Sequence, residues 1–132
     1  MTARLKLDAS LMSVDDLARI PGLTAEVYAA GFDGLWASEV NHDPFIQLGL
    51  AATRSGDLEI GTAIALSFTR SPMVLAQSAW DLAALTGGRF ILGLGTQVRA
   101  HNERRFSVPW FAPIPRLREV VESLRAIWHS WR

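Results

Sequence analysis

The chain has 132 residues with 13 Lys+Arg balanced by 13 Asp+Glu, so no global field draws it to nucleic acid or to an anionic membrane surface, and no basic stripe interleaves with aromatics. It contains no cysteine, which removes disulfides, thiolate metal sites and cysteine nucleophiles together. Hydrophobic residues make up 49%, enough for a core. Yet no run approaches the ~18 uninterrupted apolar residues of a membrane span, and Met1–Lys6 leads into Asp8 instead of an apolar leader, so a cytoplasmic protein is expected.

In chain order, Leu5-Lys6-Leu7-Asp8-Ala9 reads as a first strand, and Ser13 with Asp16 three residues on as an imperfect capping box. Leu17, Ile20, Leu23 and Val27 then recur at helical spacing up to Gly31. Pro21 divides that stretch into two short pieces or kinks a single helix. Phe32-Asp33-Gly34 turns into a second strand, Leu35–Ser38, followed by a polar loop from Glu39 to Asp43. Asp43-Pro44 is an N-cap followed by proline at the first helical position, and this helix runs to a turn near Ser55-Gly56-Asp57.

A third strand starts at Leu58 and continues through the apolar run Ile60–Leu66. A helix opens at Ser71-Pro72 and closes at Gly87-Gly88, and a fourth apolar run, Arg89–Thr96, ends in a glycine loop. Continuous apolar runs on either side of a helix predict parallel strands buried on both faces and joined by a crossover. Gln97–Pro115 is a long polar loop of the kind that carries function. Leu117, Val120, Val121, Leu124, Ile127, Trp128 and Trp131 share one face of a last helix.

Four β-then-α units with no linker predict one domain over residues 1–132 of the α/β class, either an open doubly wound sheet or a parallel (β/α) barrel of TIM type. A dinucleotide fingerprint is poorly matched: Gly93-Leu94-Gly95 is followed by Val98 where a third glycine belongs, and it follows the fourth strand. In a barrel the chemistry gathers at the C-terminal strand ends. The polar residues fall there: Ser10, Glu39-Val40-Asn41-His42, Ser67-Phe68-Thr69-Arg70 and Gly95-Thr96-Gln97-Val98-Arg99.

Gly31–Glu39, Gly61–Ala65, Ser71–Gln77, Gly87–Phe90 and Leu92–Thr96, in order and in register, resemble the luciferase-like monooxygenase superfamily, and within it most nearly the deazaflavin (coenzyme F420)-dependent oxidoreductases. The resemblance spans Leu5–Trp131. It implies the first four βα units, half of a (β/α)8 barrel, with F420 (alternatively FMN) lying across the C-terminal mouth. It further implies a non-prolyl cis peptide at Ala63-Ile64, cofactor contacts from Ala63, Ile64, Ala65, Gly95, Thr96 and Gln97, and a small organic substrate. Where sugar-phosphate-oxidising members of the family carry an acid-then-histidine pair and a later glutamate, this chain has Glu39-Val40 and Gln97. Valine transfers no proton, so His42 is the candidate acid or base, with Glu39 beside it.

Each candidate has a plainer reading. Glu39, Asn41 and His42 could be a helix-capping cluster, Arg70, Arg99, Arg104 and Arg105 solvated loop residues instead of carboxylate or phosphate ligands, and Trp36, Trp80 and Trp128 core. Arg99 is the arginine chosen for the cofactor, and Trp110 the candidate lid. His42, His101, Glu39 and Glu103 could in principle hold iron, but they lack local ligand spacing, and no metal is expected. Half a barrel leaves open edges and uncovered apolar residues, predicting a homo-oligomer or a complementing barrel half as partner.

Overall fold

The computed structural model describes residues 3–132. Six strands, β1 (Asp8–Ser10), β2 (Gly34–Ala37), β3 (Glu59–Thr62), β4 (Ala65–Leu66), β5 (Phe90–Ile91) and β6 (Leu94–Gly95), alternate with five helices. These are α1 (Ile20–Ala29), α2 (Pro44–Ala52), α3 (Pro72–Leu85), α4 (Arg99–Phe106) and α5 (Pro113–Ser130), with a 3-10 turn at Leu17–Arg19. The strands form one parallel sheet in the order β1-β2-β3-β5 and a short parallel pair β4-β6.

The alternation of side chains along a strand decides what each face carries. Ala9, Leu35, Ile60 and Phe90 stand in one row across the sheet, and Leu35 and Ile60 are fully buried beneath the helices together with Leu48, Ala51, Leu58 and Leu82. The neighbouring row, Ser10, Trp36, Gly61 and Ile91, lies on the opposite face. There Ser10 and Ile91 are exposed and Trp36 is half-buried, so the sheet is covered on one face and not on both as its continuous apolar runs had suggested. Gly61 is required in that row because a Cβ would sit 2.5 Å from the Trp36 ring.

Local chemistry explains most boundaries. Asp43 Oδ1 accepts from the Phe45 amide and Ser71 Oγ from the Val74 amide, capping α2 and α3, each followed by proline in the first turn. Gly31, Gly87 and Gly88 leave α1 and α3 at φ of +85°, +62° and +86°. The expected box at Ser13 is replaced by Asp16, whose carboxylate caps the 3-10 turn through the Ala18 amide. Pro21 sits in the first turn of α1, which settles the division into two pieces. The first strand begins at Asp8, three residues later than expected, because Leu5–Leu7 lie before the paired register.

α5 docks on α3 through a second cluster, Phe68, Leu75, Ala76, Val120 and Leu124, and Trp128 Nε1 donates to Ala76 O at 3.1 Å. Within the long loop the structure has α4, a polar helix whose single buried residue is Asn102. No helix among the described residues is long and apolar enough to cross a membrane.

Candidate active site

The third and fourth apolar runs are each divided in two. Between β3 and β4 the Ala63-Ile64 peptide is cis, as the family resemblance implied. Ala63 N–H donates to Ala37 O, Ser38 Oγ donates to Ala63 O at 2.7 Å, and Glu39 N–H donates to Ile64 O at 3.2 Å, so the bend is tied to the end of β2. On its other side Ala65 N–H donates to Gly93 O, and Thr62 Oγ1 both donates to Gly93 O and accepts from Gly93 N–H. A Cβ on Gly93 would lie 2.0 Å from Thr62 O, and one on Gly95 2.6 Å from Ile64 Cδ1. At Gly93 the backbone of β3 occupies the place of a side chain, and at Gly95 the Ile64 side chain does.

The rim formed at these strand ends brings Glu39, Ala63, Ile64, Ala65, Gly95 and Thr96 to one end of the sheet. Ala63 and Ile64 are exposed there, a small apolar platform beside the polar loops. Beyond it Gln97 adopts φ +56°, and its side-chain oxygen accepts from the Val98 amide. Asn102, 1% exposed, reaches back from α4 to donate to Thr96 O and Val98 O, and its own Oδ1 is buried without a protein partner.

Glu39 is held tightly. Its carboxylate accepts from Arg70 through two nitrogens at 2.9 Å each and from the Leu66 amide at 2.7 Å. Arg70 also donates to Asp43 Oδ2 at 3.0 Å and lies over the Phe45 ring. The Glu39 and Arg70 side chains are only 8% and 14% exposed. Burial acts against the Arg70 charge, but hydrogen bonds and charge from Glu39 and Asp43 outweigh it and raise the guanidinium pKa above the ordinary arginine value. Arg70 is therefore the centre of a two-carboxylate network, a role missed in the sequence. The available signal was Glu39 and Asp43 four residues apart, with an arginine following the adjacent strand.

His42 is half-buried in an open cleft of about 230 Å³ with Glu39, Asn41, Arg70, Arg105 and Phe106. Arg105 closes one side by donating to Val40 O, which ties α4 to the loop after β2. Arg99 is largely exposed and pairs with Glu103 at 3.0 Å. Trp110 packs edge-on against Phe68, and Trp36 donates from Nε1 to Asp8 Oδ2 at 2.9 Å. His101 and His129 are exposed, and among the described residues no three His, Asp or Glu side chains converge as a metal site.

Parallel strands whose C-terminal ends present a small apolar platform and a polar cleft define an α/β protein with its candidate site at the strand ends. Residues 2–132 match the luciferase-like monooxygenase family, and the chain belongs to it. It is 50% identical over 129 residues to an uncharacterized protein of Mycobacterium tuberculosis, covering 98% of this chain and 37% of that one. Over 90 residues it is 41% identical to a phthiodiolone/phenolphthiodiolone dimycocerosates ketoreductase of Mycobacterium sp. strain JLS, covering 67% and 23%.

Among the solved structures that share the fold are two enzymes. One is the oxygenating constituent of 3,6-diketocamphane monooxygenase from Pseudomonas putida in complex with FMN, with TM-score 0.82, 15% identity, and coverage of 96% of this chain and 40% of that one. The other is a coenzyme F420 dependent tetrahydromethanopterin reductase from Methanopyrus kandleri, with TM-score 0.75, 24% identity, and coverage of 91% and 39%. The chain thus spans only 37% of the length of that Mycobacterium tuberculosis relative.

Proposed function

We propose that this chain is the N-terminal half of a (β/α)8-barrel oxidoreductase that uses a deazaflavin, coenzyme F420, to move a hydride to or from a small organic substrate. Residues 1–132 act in this reading as one truncated unit of four βα repeats working in the cytoplasm. The observation that carries it is the shared rim, where Glu39 N–H reaches Ile64 O and the Ala63–Ala65 bend stands beside Gly95-Thr96. The platform suits a flat ring: Ala63 and Ile64 are apolar and exposed, and Gly95 leaves room for the Ile64 side chain beside it.

When bound, the deazaflavin supplies the hydride-carrying carbon. The chain's residues then divide the remaining work. Ala63 and Ile64 support one ring face, while Ala65, expected to touch the ring, is fully buried and instead anchors the bend from beneath; Gly95, Thr96 and Gln97 border the ring with backbone groups, and Arg99 reaches toward the acidic tail. His42, whose imidazole lines the cleft, gives or takes the substrate proton. Glu39 stands beside it as a positioning residue, since its carboxylate is already engaged by Arg70 and the Leu66 amide.

The ketoreductase among the relatives and the F420-dependent reductase among the structures support hydride transfer. The FMN-bound monooxygenase supports an alternative in which the same rim holds reduced FMN and activates oxygen. Fluorescence titration of the full-length Mycobacterium tuberculosis relative with each cofactor separates them. Saturable F420 binding is expected; tight FMN binding without F420 binding overturns the choice.

A further inference from the structure

We infer that the cleft holding His42 takes the carboxylate of a small monoanionic substrate with an apolar body, and that Arg105 is the residue that selects it. The inference rests on the oxidoreductase reading above and names the substrate class of that site.

The cleft is bounded by the loop after β2, an inner strand of the sheet, by Arg70 from the loop after β4, and by α4. Its acceptors are already engaged. Glu39 Oε1 accepts from Arg70, Glu39 Oε2 from Arg70 and the Leu66 amide, Asp43 Oδ1 from the Phe45 amide, and Asp43 Oδ2 from Arg70. Every carboxylate oxygen at the cleft thus has a donor from its own chain.

Donors, by contrast, are in surplus. A guanidinium carries five N–H groups, yet that of Arg105 makes one hydrogen bond, to Val40 O, and among the described residues it pairs with no carboxylate. It lies 5.2 Å from the Phe106 ring centroid, so two contacts hold it at the cleft wall with N–H groups unused. No neighbouring arginine is placed this way. Arg70 is taken by two carboxylates, Arg99 by Glu103, and Arg104 does not line the cleft.

A guanidinium fork pairs with a carboxylate through two parallel N–H···O bonds. The charges of Glu39, Asp43, Arg70 and Arg105 cancel, so a ligand with one negative charge is tolerated better than a phosphate dianion. Val40, 48% exposed, and the half-buried Phe106 give the cleft its apolar wall for the rest of the molecule. A volume of about 230 Å³ lies below the roughly 300–1,000 Å³ of sites for drug-sized ligands, so the cleft suits a small substrate and not a whole cofactor.

Amide NMR titration of the isotope-labelled 132-residue chain with benzoate tests this, with benzamide and phenyl phosphate as neutral and phosphate counterparts. Benzoate is expected to shift the amides of residues 39–43 and 105–106 saturably, and to bind at least about tenfold more tightly than benzamide, because it gains a charge-assisted pair. Arg105→Gln brings the two ligands to equal affinity, whereas Arg105→Lys keeps part of the preference. Each variant is checked by circular dichroism, and the ratio of the two affinities reports charge selection apart from any movement of the loop held at Val40. Absence of benzoate binding, equal affinities in the unaltered chain, an unchanged preference in Arg105→Gln, or shifts confined to other residues overturns the proposal. Tighter binding of phenyl phosphate overturns the choice of carboxylate. Cofactor titration of the full-length relative is a separate result: F420 binding there without an Arg105 effect here sinks this inference alone, and benzoate selection here without F420 binding there sinks the cofactor reading alone.

Discussion

At the scale of single residues, the Glu39–Arg70–Asp43 network makes the sharpest claim. Glu39→Gln removes one charge from a pair that is mostly buried, so a loss of about 3 kcal/mol is expected in urea unfolding, because the arginine is left without its bidentate partner. The pH dependence follows from the raised Arg70 pKa. A basic group whose folded pKa lies above the unfolded one stabilises fully below the unfolded value and loses that contribution only as pH rises through the folded value. The Arg70 contribution is therefore expected to stay constant from neutral to mildly alkaline pH, which unfolding curves of the protein and of Arg70→Met at neutral and mildly alkaline pH will check.

Asn102 is the other residue with a defined task. Asn102→Ala deletes both donors to Thr96 O and Val98 O, with an expected cost of roughly 1–3 kcal/mol and faster amide exchange across residues 96–98. Its importance was illegible in the sequence. An asparagine in a polar stretch reads as solvated, and only the fold turns it inward. Glu39 and His42 were legible as members of a rim, but the commitment of Glu39 to Arg70 was not, because that pair joins residues 31 apart.

At the scale of elements, the strands and helices that position the rim were legible wherever apolar periodicity and caps agreed. Asp43-Pro44 and Ser71-Pro72 start α2 and α3 as expected, and Ser71→Ala should cost about 1 kcal/mol, measurable as a lowered Tm. Two features escaped. α4 carries too few apolar residues to show a helical stripe, so Arg99–Phe106 read as loop. The apolar runs 60–66 and 89–96 read as single strands because small and β-branched residues suit both a straight strand and one that bends to meet its neighbour, as β3–β4 and β5–β6 do.

At the scale of the whole molecule, the covered face of the sheet holds the chain together and the other face is left for something else. Ile60→Ala, in the fully buried row, should cost about 2–5 kcal/mol, while Ile91→Ala on the exposed face should cost far less in dilute solution. In the proposed reading the cofactor tail meets only Arg99, which is exposed and shared with Glu103, and phosphate-gripping loops of barrels usually follow later strands. Equilibrium dialysis of the isolated chain is accordingly expected to give weaker than micromolar affinity for either F420 or FMN; micromolar binding would show that the first four units suffice.

Trp36 gives that uncovered face a voice of its own. Its indole stands over Gly61 with its nitrogen bound to Asp8, half in water, in the row of residues that a second set of strands would enclose. Anything that seals the concavity must strip solvent from that ring and shift its emission toward the blue, and a bound chromophore nearby would quench it by energy transfer. The difference between the chain's spectrum and that of Trp36→Phe is thus an optical gauge of occupancy that needs no label.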